Sequence, residues 1–278
     1  MSNLTDFPRY LFDQRKSFRE DVPSIIKSQA FIDNLINFLF PIKADRTCEC
    51  QQITLNLQQL QIDLKNILHL IEDSLEQDVN TITNNFFEEI PAIYKSLIND
   101  AKAFIDFDPA AKSMESVIAY YPGYYAISVY RLANVLYKLN VPFVPRIISE
   151  HAHSKTGIDL HPGATIGEHF LIDHGTGIVI GETCVIGNNV KIYQGVTLGA
   201  LYVTKGLSGK KRHPTIQDNV IIYGGSTILG GNTVIGKNTI VGGNVWITKS
   251  VPVNSIVYHE SKTRVRDSNE KWEPDYII

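Results

Sequence analysis

Hydrophobic residues in the first half of the chain recur at intervals of three and four positions, which places them on one face of a helix. The clearest series is Leu57, Leu60, Leu64, Ile67, Ile71 and Leu75. Pro91 predicts the first turn of another helix, because proline is tolerated there, and Asp108, which precedes a proline, predicts the start of the next. The pattern therefore predicts an all-helical domain over residues 1–150.

From Gly157 onwards the hydrophobic pattern has a period of six instead. Leu229, Ile235 and Val241 each open a hexad, and each is followed by a glycine. Three hexads form one coil of a parallel β-helix, a triangular prism in which each short strand is one side. The leading aliphatic side chain points into the prism, while glycine or asparagine takes the tight corner. The second half is therefore predicted to be a β-helix domain over residues 151–258.

The hexads lose their period at three places. Residues 200–214, "ALYVTKGLSGKKRHP", contain glycine, serine and four cationic side chains, so they predict an exposed loop outside the prism. Residues 259–278 show no period and predict a flexible C-terminal tail. The third place is a slip of two residues at Asp173 and His174. We expect this slip to lift the His174 side chain towards solvent.

Composition narrows the class of protein. The chain has 278 residues, of which 44% are hydrophobic, and a formal net charge of -3, which argues against binding driven by nucleic-acid phosphates. No apolar run approaches the ~20 residues that span a bilayer. The three cysteines, Cys48, Cys50 and Cys184, form no disulfide framework. The expected location is the cytoplasm.

His174 is the sharpest candidate for chemistry, because a prism corner has no structural need for an imidazole. Asp159 lies about one coil earlier, so we expect it to stack beside His174 and orient the ring. An imidazole paired with an acid is suited to act as a general base near neutral pH. No metal is expected, and the position of Cys184 within a hexad predicts a core residue rather than a nucleophile.

Flat prism faces allow copies of the chain to pack side by side, so we expect a homotrimer with an extended ligand in the groove between neighbours. Coenzyme A suits such a groove, since the amides of its pantetheine arm can pair with exposed strand backbone. The candidate cofactor-binding positions have little or no side chain. They are Ala200, Gly224, Gly225, Gly242 and Gly243.

The run "IDLHPGATIGEHFLIDHGTGIVIGET", together with "KRHP" further along, resembles the serine O-acetyltransferases, a family of hexapeptide-repeat acyltransferases. The resemblance implies a left-handed β-helix preceded by helices. It also implies acetyl transfer from acetyl-CoA to the hydroxyl of L-serine, which gives O-acetylserine for cysteine biosynthesis. The transfer would be direct and metal-free, in a trimer or a dimer of trimers.

The resemblance also implies roles for individual residues. His174 matches the catalytic base and Asp159 matches its partner. The residues that match the amino-acid site are Asp108, Asp173, Arg212 and His213. Ile278, the last residue, resembles a terminus that inserts into the active site of cysteine synthase, so cysteine synthase is an expected partner. Ala200 departs from the family, because many relatives have glycine there.

Alternatives to this function remain open. The acceptor could be another hydroxyl compound, such as homoserine or a sugar. A γ-type carbonic anhydrase is also a trimeric prism, with zinc held by three histidines; His169 and His174 have a suitable spacing for two ligands, but residues 132–140 contain no histidine for the third. A non-enzymatic scaffold that only presents the helical domain is the last alternative.

Overall fold

The structure, a computed structural model, describes residues 6–16, 22–42, 49–202 and 209–260. Within these residues the chain forms α-helices first and short β-strands afterwards. The helices are α1 (Phe7–Arg15), α2 (Ile25–Leu39), α3 (Cys50–Leu68), α4 (Val79–Phe107), α5 (Met114–Tyr120), α6 (Pro122–Lys138) and α7 (Val144–Thr156), with a 3₁₀ helix at His69–Ser74 after α3. Among the described helices, none combines the length and the apolar composition needed to cross a bilayer.

Two helix starts predicted from the sequence are wrong. Pro91 lies inside α4, whose buried face continues on both sides of it through Ile90 and Ile93. Packing of that face outweighs the one backbone hydrogen bond that proline removes. Asp108 ends α4 instead of starting a helix, because a residue before proline is pushed into extended backbone (φ -99°, ψ 111°). The next helix begins six residues later, where Ser113 forms a reciprocal capping box with Ser116.

The strands form a parallel β-helix, as the period of six predicts. They are β1 (Ile158–Leu160), β2 (Thr165–Ile166), β3 (Leu171–Asp173), β4 (Ile178–Ile180), β5 (Val185–Ile186), β6 (Lys191–Tyr193), β7 (Thr197–Gly199), β8 (Thr215–Ile216), β9 (Ile221–Ile222), β10 (Thr227–Leu229), β11 (Val234–Ile235), β12 (Ile240–Val241), β13 (Trp246–Ile247) and β14 (Ile256–Val257). Every third strand pairs in parallel as far as β13, and β14 then pairs with β12. The first sheet is β1-β4-β7-β10-β13, the second is β2-β5-β8-β11 and the third is β3-β6-β9-β12-β14.

Aliphatic side chains fill the prism in register. In the first sheet the aligned inward residues run from Leu160 through Ile180, Leu198 and Ile228 to Ile247, and all are buried. One corner, between the second and third sheets, carries a stack of asparagines with positive φ. Their side chains are linked along the stack by amide hydrogen bonds, for example 2.9 Å from Asn238 Nδ2 to Asn254 Oδ1. Asparagine tolerates this left-handed backbone, so the corner is stabilised twice.

A buried ion pair joins the helices to the first coil. Arg131 on α6 pairs with Asp100 on α4, whose side chain is fully buried. Arg131 Nη2 also donates to the carbonyl oxygen of Gly167 (2.8 Å), and Asp100 Oδ1 accepts from the N–H of Phe170 (3.0 Å). The helical part continues to the end of α7, past the boundary predicted at residue 150, and one hydrophobic core runs through both parts. Residues 203–208 of the predicted loop and residues 261–278 of the predicted tail, including Ile278, lie outside the described residues.

Candidate active site

The predicted slip in the repeat is a two-residue insertion at one corner of the first coil. Asp173 pairs in register with Tyr193 of the next coil, and Val179 pairs with Thr197. In the first coil, five residues (174–178) lie between Asp173 and Val179. In the second coil, only three residues (194–196) lie between the equivalent positions, Tyr193 and Thr197. The additional residues are His174 and Gly175, and both have positive φ.

The insertion pushes His174 out of the coil. Its side chain is 75% exposed, and its Nε2 lies 3.9 Å from Asp173 Oδ2. Gly175 closes the bulge by donating its N–H to the carbonyl oxygen of Asp173 (2.7 Å), and a Cβ at Gly175 would overlap the side chains beneath it. The backbone therefore needs glycine at this position to present the imidazole.

A second carboxylate lies beside this corner. Asp108 accepts hydrogen bonds from the Tyr121 hydroxyl (2.7 Å) and from the N–H of Ala110 (2.8 Å). The hydrogen bond to Asp108 is the main cause that raises the pKa of Tyr121 to about 12, and the charge of Asp173 contributes. Burial and then the charges of Asp173 and Asp108 raise the pKa of Tyr193 as well. Both carboxylates therefore act on the same two phenols. We call Asp108, Asp173, His174, Tyr121 and Tyr193 the acidic half-site.

Arg212 and His213 lie at a different corner, between β7 and β8. His213 is only 7% exposed. Its Nδ1 accepts from the backbone N–H of Thr183 (3.0 Å), so the ring proton resides on Nε2. Burial, followed by the charge of Arg212, lowers the pKa of His213 to about 4, so the ring is neutral at pH 7. A Cβ at Gly181 would overlap the imidazole, so this glycine makes room for His213.

Arg212 Nη2 pairs with Glu182 Oε2, and Glu182 Oε1 accepts from the Tyr137 hydroxyl (2.8 Å). Burial alone would raise the pKa of Glu182, but the hydrogen bonds from Arg212 and Tyr137 hold it below its usual value. Burial lowers the pKa of His161, and the negative charge of Glu182 partly opposes this effect. We call Arg212, His213, Glu182, Tyr137 and His161 the basic half-site.

The two half-sites lie at opposite edges of the first sheet. The acidic half-site follows the third sheet at the corner before β4, and the basic half-site follows the first sheet at the corner before β8. A single chain therefore does not bring the predicted substrate residues together.

The predicted pairing of Asp159 with His174 is not made within one chain. Asp159 lies in β1 of the same coil as His174, not one coil earlier, and so occupies a different face of the prism. Its Oδ1 lies 3.6 Å from Arg146 Nη1 of α7. Among the described residues, no hydrogen bond or ion pair joins Asp159 to His174.

The predicted cofactor positions are divided in the same way. Ala200 follows β7 at the edge with the basic half-site, whereas the four glycines follow β9 and β12 at the edge with the acidic half-site. The N–H groups of Gly225 and Gly242 already bond the neighbouring coils (2.9 Å to Gln194 O and 2.7 Å to Val257 O). Within the described residues, the N–H groups of Gly224 and Gly243 make no backbone hydrogen bond, so these two are the better donors to a ligand.

Comparisons with known proteins decide the family. The family profile described as "Serine acetyltransferase, N-terminal" matches residues 51–129. The plasmid serine acetyltransferase of Synechococcus elongatus is 48% identical over 200 residues, which cover 70% of this chain and 61% of that one. The serine acetyltransferase of Bacillus pumilus is 43% identical, over 66% of this chain and 86% of that one. The chain belongs to the serine acetyltransferase family.

A solved relative agrees over almost the whole length. Serine acetyltransferase isoform 3 of Entamoeba histolytica, in complex with cysteine, is 32% identical, covers 94% of both chains and has a TM-score of 0.76. The match spans about three fifths (61%) of the length of the Synechococcus relative.

The two histidines of the zinc alternative are not neighbours within one chain. His169 precedes β3 and His174 follows it, so the two rings lie at different corners of the prism. Among the described residues, the cluster with ligand atoms close enough for a metal is Glu150, His153 and Asp159. Arg146 already forms ion pairs with Glu150 and Asp159.

Sequence reasoning assigned no role to five members of the half-sites: Tyr121, Tyr193, Tyr137, Glu182 and His161. His161 had a usable signal, because it lies two residues after Asp159 in the same motif. Tyr193 had a signal as well, because it lies in register with Asp173 on the next coil. Tyr121 and Tyr137 had none, since their contacts depend on how α5 and α6 pack on the first coil, which hexad counting does not describe.

Proposed function

We propose that this protein transfers the acetyl group of acetyl-CoA to the hydroxyl of L-serine, giving O-acetylserine. The observation that carries the proposal is the inserted corner, which presents an exposed imidazole next to Asp173 and beside the oriented carboxylate of Asp108. Family membership supports the same reaction. O-acetylserine is also the precursor expected for cysteine biosynthesis.

We propose that three chains assemble so that the acidic half-site of one faces the basic half-site of the next. The half-sites flank one sheet, and a cyclic, head-to-tail contact joins two different edges of identical chains and closes after three copies. Asp159 lies on that same sheet, so its partnership with His174 is assigned to this contact between neighbours. A dimer of trimers through the helical part would leave the contact unchanged.

The charges of the two half-sites fit an amino acid. The ammonium group of serine would lie between the carboxylates of Asp108 and Asp173. Its carboxylate would meet Arg212, whose planar guanidinium presents N–H donors in a geometry that matches a carboxylate. The neutral His213 adds an Nε2–H donor without adding charge. The serine hydroxyl is thereby held next to His174.

His174 then acts as the general base. It removes the hydroxyl proton while the serine oxygen attacks the thioester carbonyl, and assistance of this kind is worth roughly 10²–10⁴-fold. When the tetrahedral intermediate collapses, the C–S bond breaks and the imidazolium returns the proton to the coenzyme A thiolate. Asp159 of the neighbouring chain would stabilise the imidazolium between these steps. The pantetheine arm would follow the corner of Gly224 and Gly243.

Two further binding events are proposed for this chain. The Entamoeba structure contains cysteine, which differs from serine only in sulfur for oxygen, so cysteine would bind at the acceptor site as a competitor. The C-terminal Ile278 would insert into cysteine synthase, because a site for an amino-acid carboxylate accepts a chain terminus.

The test is an acceptor panel with acetyl-CoA, in which released thiol is measured and the product identified by mass. L-serine is expected to give O-acetylserine with the highest kcat/KM. If homoserine is the preferred acceptor, the assignment is overturned in favour of acetyl transfer to the homoserine hydroxyl. Absence of thiol release with every hydroxyl acceptor would favour the scaffold alternative. Light scattering that reports a monomer would overturn the shared site.

A further inference from the structure

Asp108 is held by two donors on two different segments. One oxygen accepts from the backbone N–H of Ala110 (2.8 Å), and the other accepts from the Tyr121 hydroxyl (2.7 Å). A carboxylate at the end of a helix, followed by proline, would otherwise rotate among several rotamers. These two hydrogen bonds fix its plane before any ligand arrives.

Tyr121 is itself held in place. It lies between α5 and α6, and its ring packs edge-on against Phe104 of α4, with 5.5 Å between centroids and 78° between planes. Two residues later, Gly123 presses directly on β3, where a Cβ would lie 2.1 Å from the carbonyl oxygen of Ile172. Ile172 precedes Asp173. The start of α6 therefore fixes the hydroxyl of Tyr121, and with it Asp108, relative to the second carboxylate.

We propose that Tyr121 is a positioning residue that builds the subsite for the acceptor's ammonium group. Its hydroxyl occupies one oxygen of Asp108 and directs the remaining lone pairs towards the space shared with Asp173. The inference rests on the proposed function and adds the residue that aligns its two carboxylates. Tyr121 touches Asp108 and takes no part in proton transfer.

The proposed role of Tyr121 affects the binding of serine and not the chemical step. A group that aligns the ammonium subsite acts equally on bound serine and on the transition state, because the ammonium does not change during the reaction. Loss of the hydroxyl should therefore raise KM and leave kcat nearly unchanged. A hydrogen bond to a charged group is worth enough for a rise of about tenfold in KM or Kd for serine.

The experiment compares Tyr121→Phe with Tyr120→Phe in the full-length protein. Tyr120 is the neighbouring residue, its side chain is 72% exposed, and its hydroxyl makes no hydrogen bond within the described residues. Phenylalanine at 121 keeps the ring packed against Phe104. We expect Tyr121→Phe to raise KM for L-serine about tenfold, with kcat within about threefold and KM for acetyl-CoA unchanged. Tyr120→Phe should change none of these.

An acceptor analogue makes the test specific for the ammonium. 3-Hydroxypropionate has the hydroxyl and the carboxylate of serine but no amino group, so its inhibition constant should be the same for wild type and Tyr121→Phe. Equal losses for serine and 3-hydroxypropionate would overturn the proposal, as would a fall in kcat with KM unchanged. Thermal unfolding of both variants checks that packing is retained.

A double-mutant cycle of serine binding tests the proposal without measuring turnover. Calorimetry gives Kd for L-serine with wild type, Tyr121→Phe, Asp108→Asn and the double variant. Tyr121→Phe should have no further effect once Asp108 is replaced, and independent effects would overturn the assignment. If wild type acetylates serine but Tyr121→Phe keeps its KM, only the role of Tyr121 fails. If wild type neither binds nor acetylates serine, the proposed function fails first.

Discussion

The first and second coils turn the same corner in different ways. The second coil passes from Tyr193 to Thr197 through Gln194, Gly195 and Val196, and Gly195 supplies the positive φ of the turn. The first coil has an equivalent glycine, Gly177, but reaches it only after His174 and Gly175. The regular corner closes the prism with three residues, whereas the inserted corner uses five and presents an imidazole to solvent.

The difference separates what maintains the fold from what prepares chemistry. Gly157, Gly177, Gly195 and Gly225 form a column in which each glycine lies against the next, and Cα of Gly225 is 3.5 Å from the Cβ position of Gly195. That column continues through the first coil despite the insertion. The two additional residues therefore add a functional bulge outside a structure that is complete without them.

The largest effect is expected from removing the bulge. Deleting His174 and Gly175 leaves Asp173-Thr176-Gly177-Ile178, which aligns with Tyr193-Gln194-Gly195-Val196 of the regular corner. We expect loss of acetyl transfer by at least about 10³-fold, because base and acceptor geometry are lost together. The free energy of unfolding should stay within about 1 kcal/mol of wild type. A deletion variant that fails to fold would show that the bulge is structural.

His174→Ala removes the imidazole and keeps the bulge. We expect kcat to fall by roughly 10²–10⁴-fold with KM for acetyl-CoA nearly unchanged. The control is His169→Asn, since His169 has positive φ at the corner where later coils have asparagine. That variant should retain full activity. A His174→Ala protein with more than a tenth of wild-type kcat contradicts the assignment.

Complementation tests whether the bulge works with the opposite edge of a neighbouring chain. His174→Ala and Arg212→Ala each disable a different half-site, and each should be nearly inactive at low serine concentration. Random mixed trimers of the two would pair an intact acidic half-site with an intact basic one at about a quarter of the contacts. Co-expression should therefore restore about a quarter of wild-type activity. A site complete within one chain would show no recovery.

Some features of the fold and of the site could be predicted from the sequence, and others could not. The period of six predicts the prism, and the slip after Asp173 predicts the exposed His174, because both depend on local spacing. The partnership of Asp159 was not predictable in the same way. It depends on which face of which coil a residue occupies, and counting Asp159 as one coil before His174 overlooks that it lies in β1 while His174 follows β3 of the same coil. The role of Tyr121 could not be predicted from the sequence at all, because its contact with Asp108 depends on helix packing against Phe104.

The smallest expected effect concerns a regular corner. Asn238 has φ of 59°, donates to Asn254 and accepts from Asn219, both at 2.9 Å. Asn238→Ala removes both hydrogen bonds and places an alanine in left-handed backbone, so it should lower the free energy of unfolding by about 1–2 kcal/mol. Asn238→Gly loses the same bonds without the steric penalty, so it should cost less. Denaturant unfolding of the two variants measures the difference, and acetyl transfer should be normal in both. If glycine costs as much as alanine, the asparagine corners are maintained by their amide ladder and not by backbone conformation.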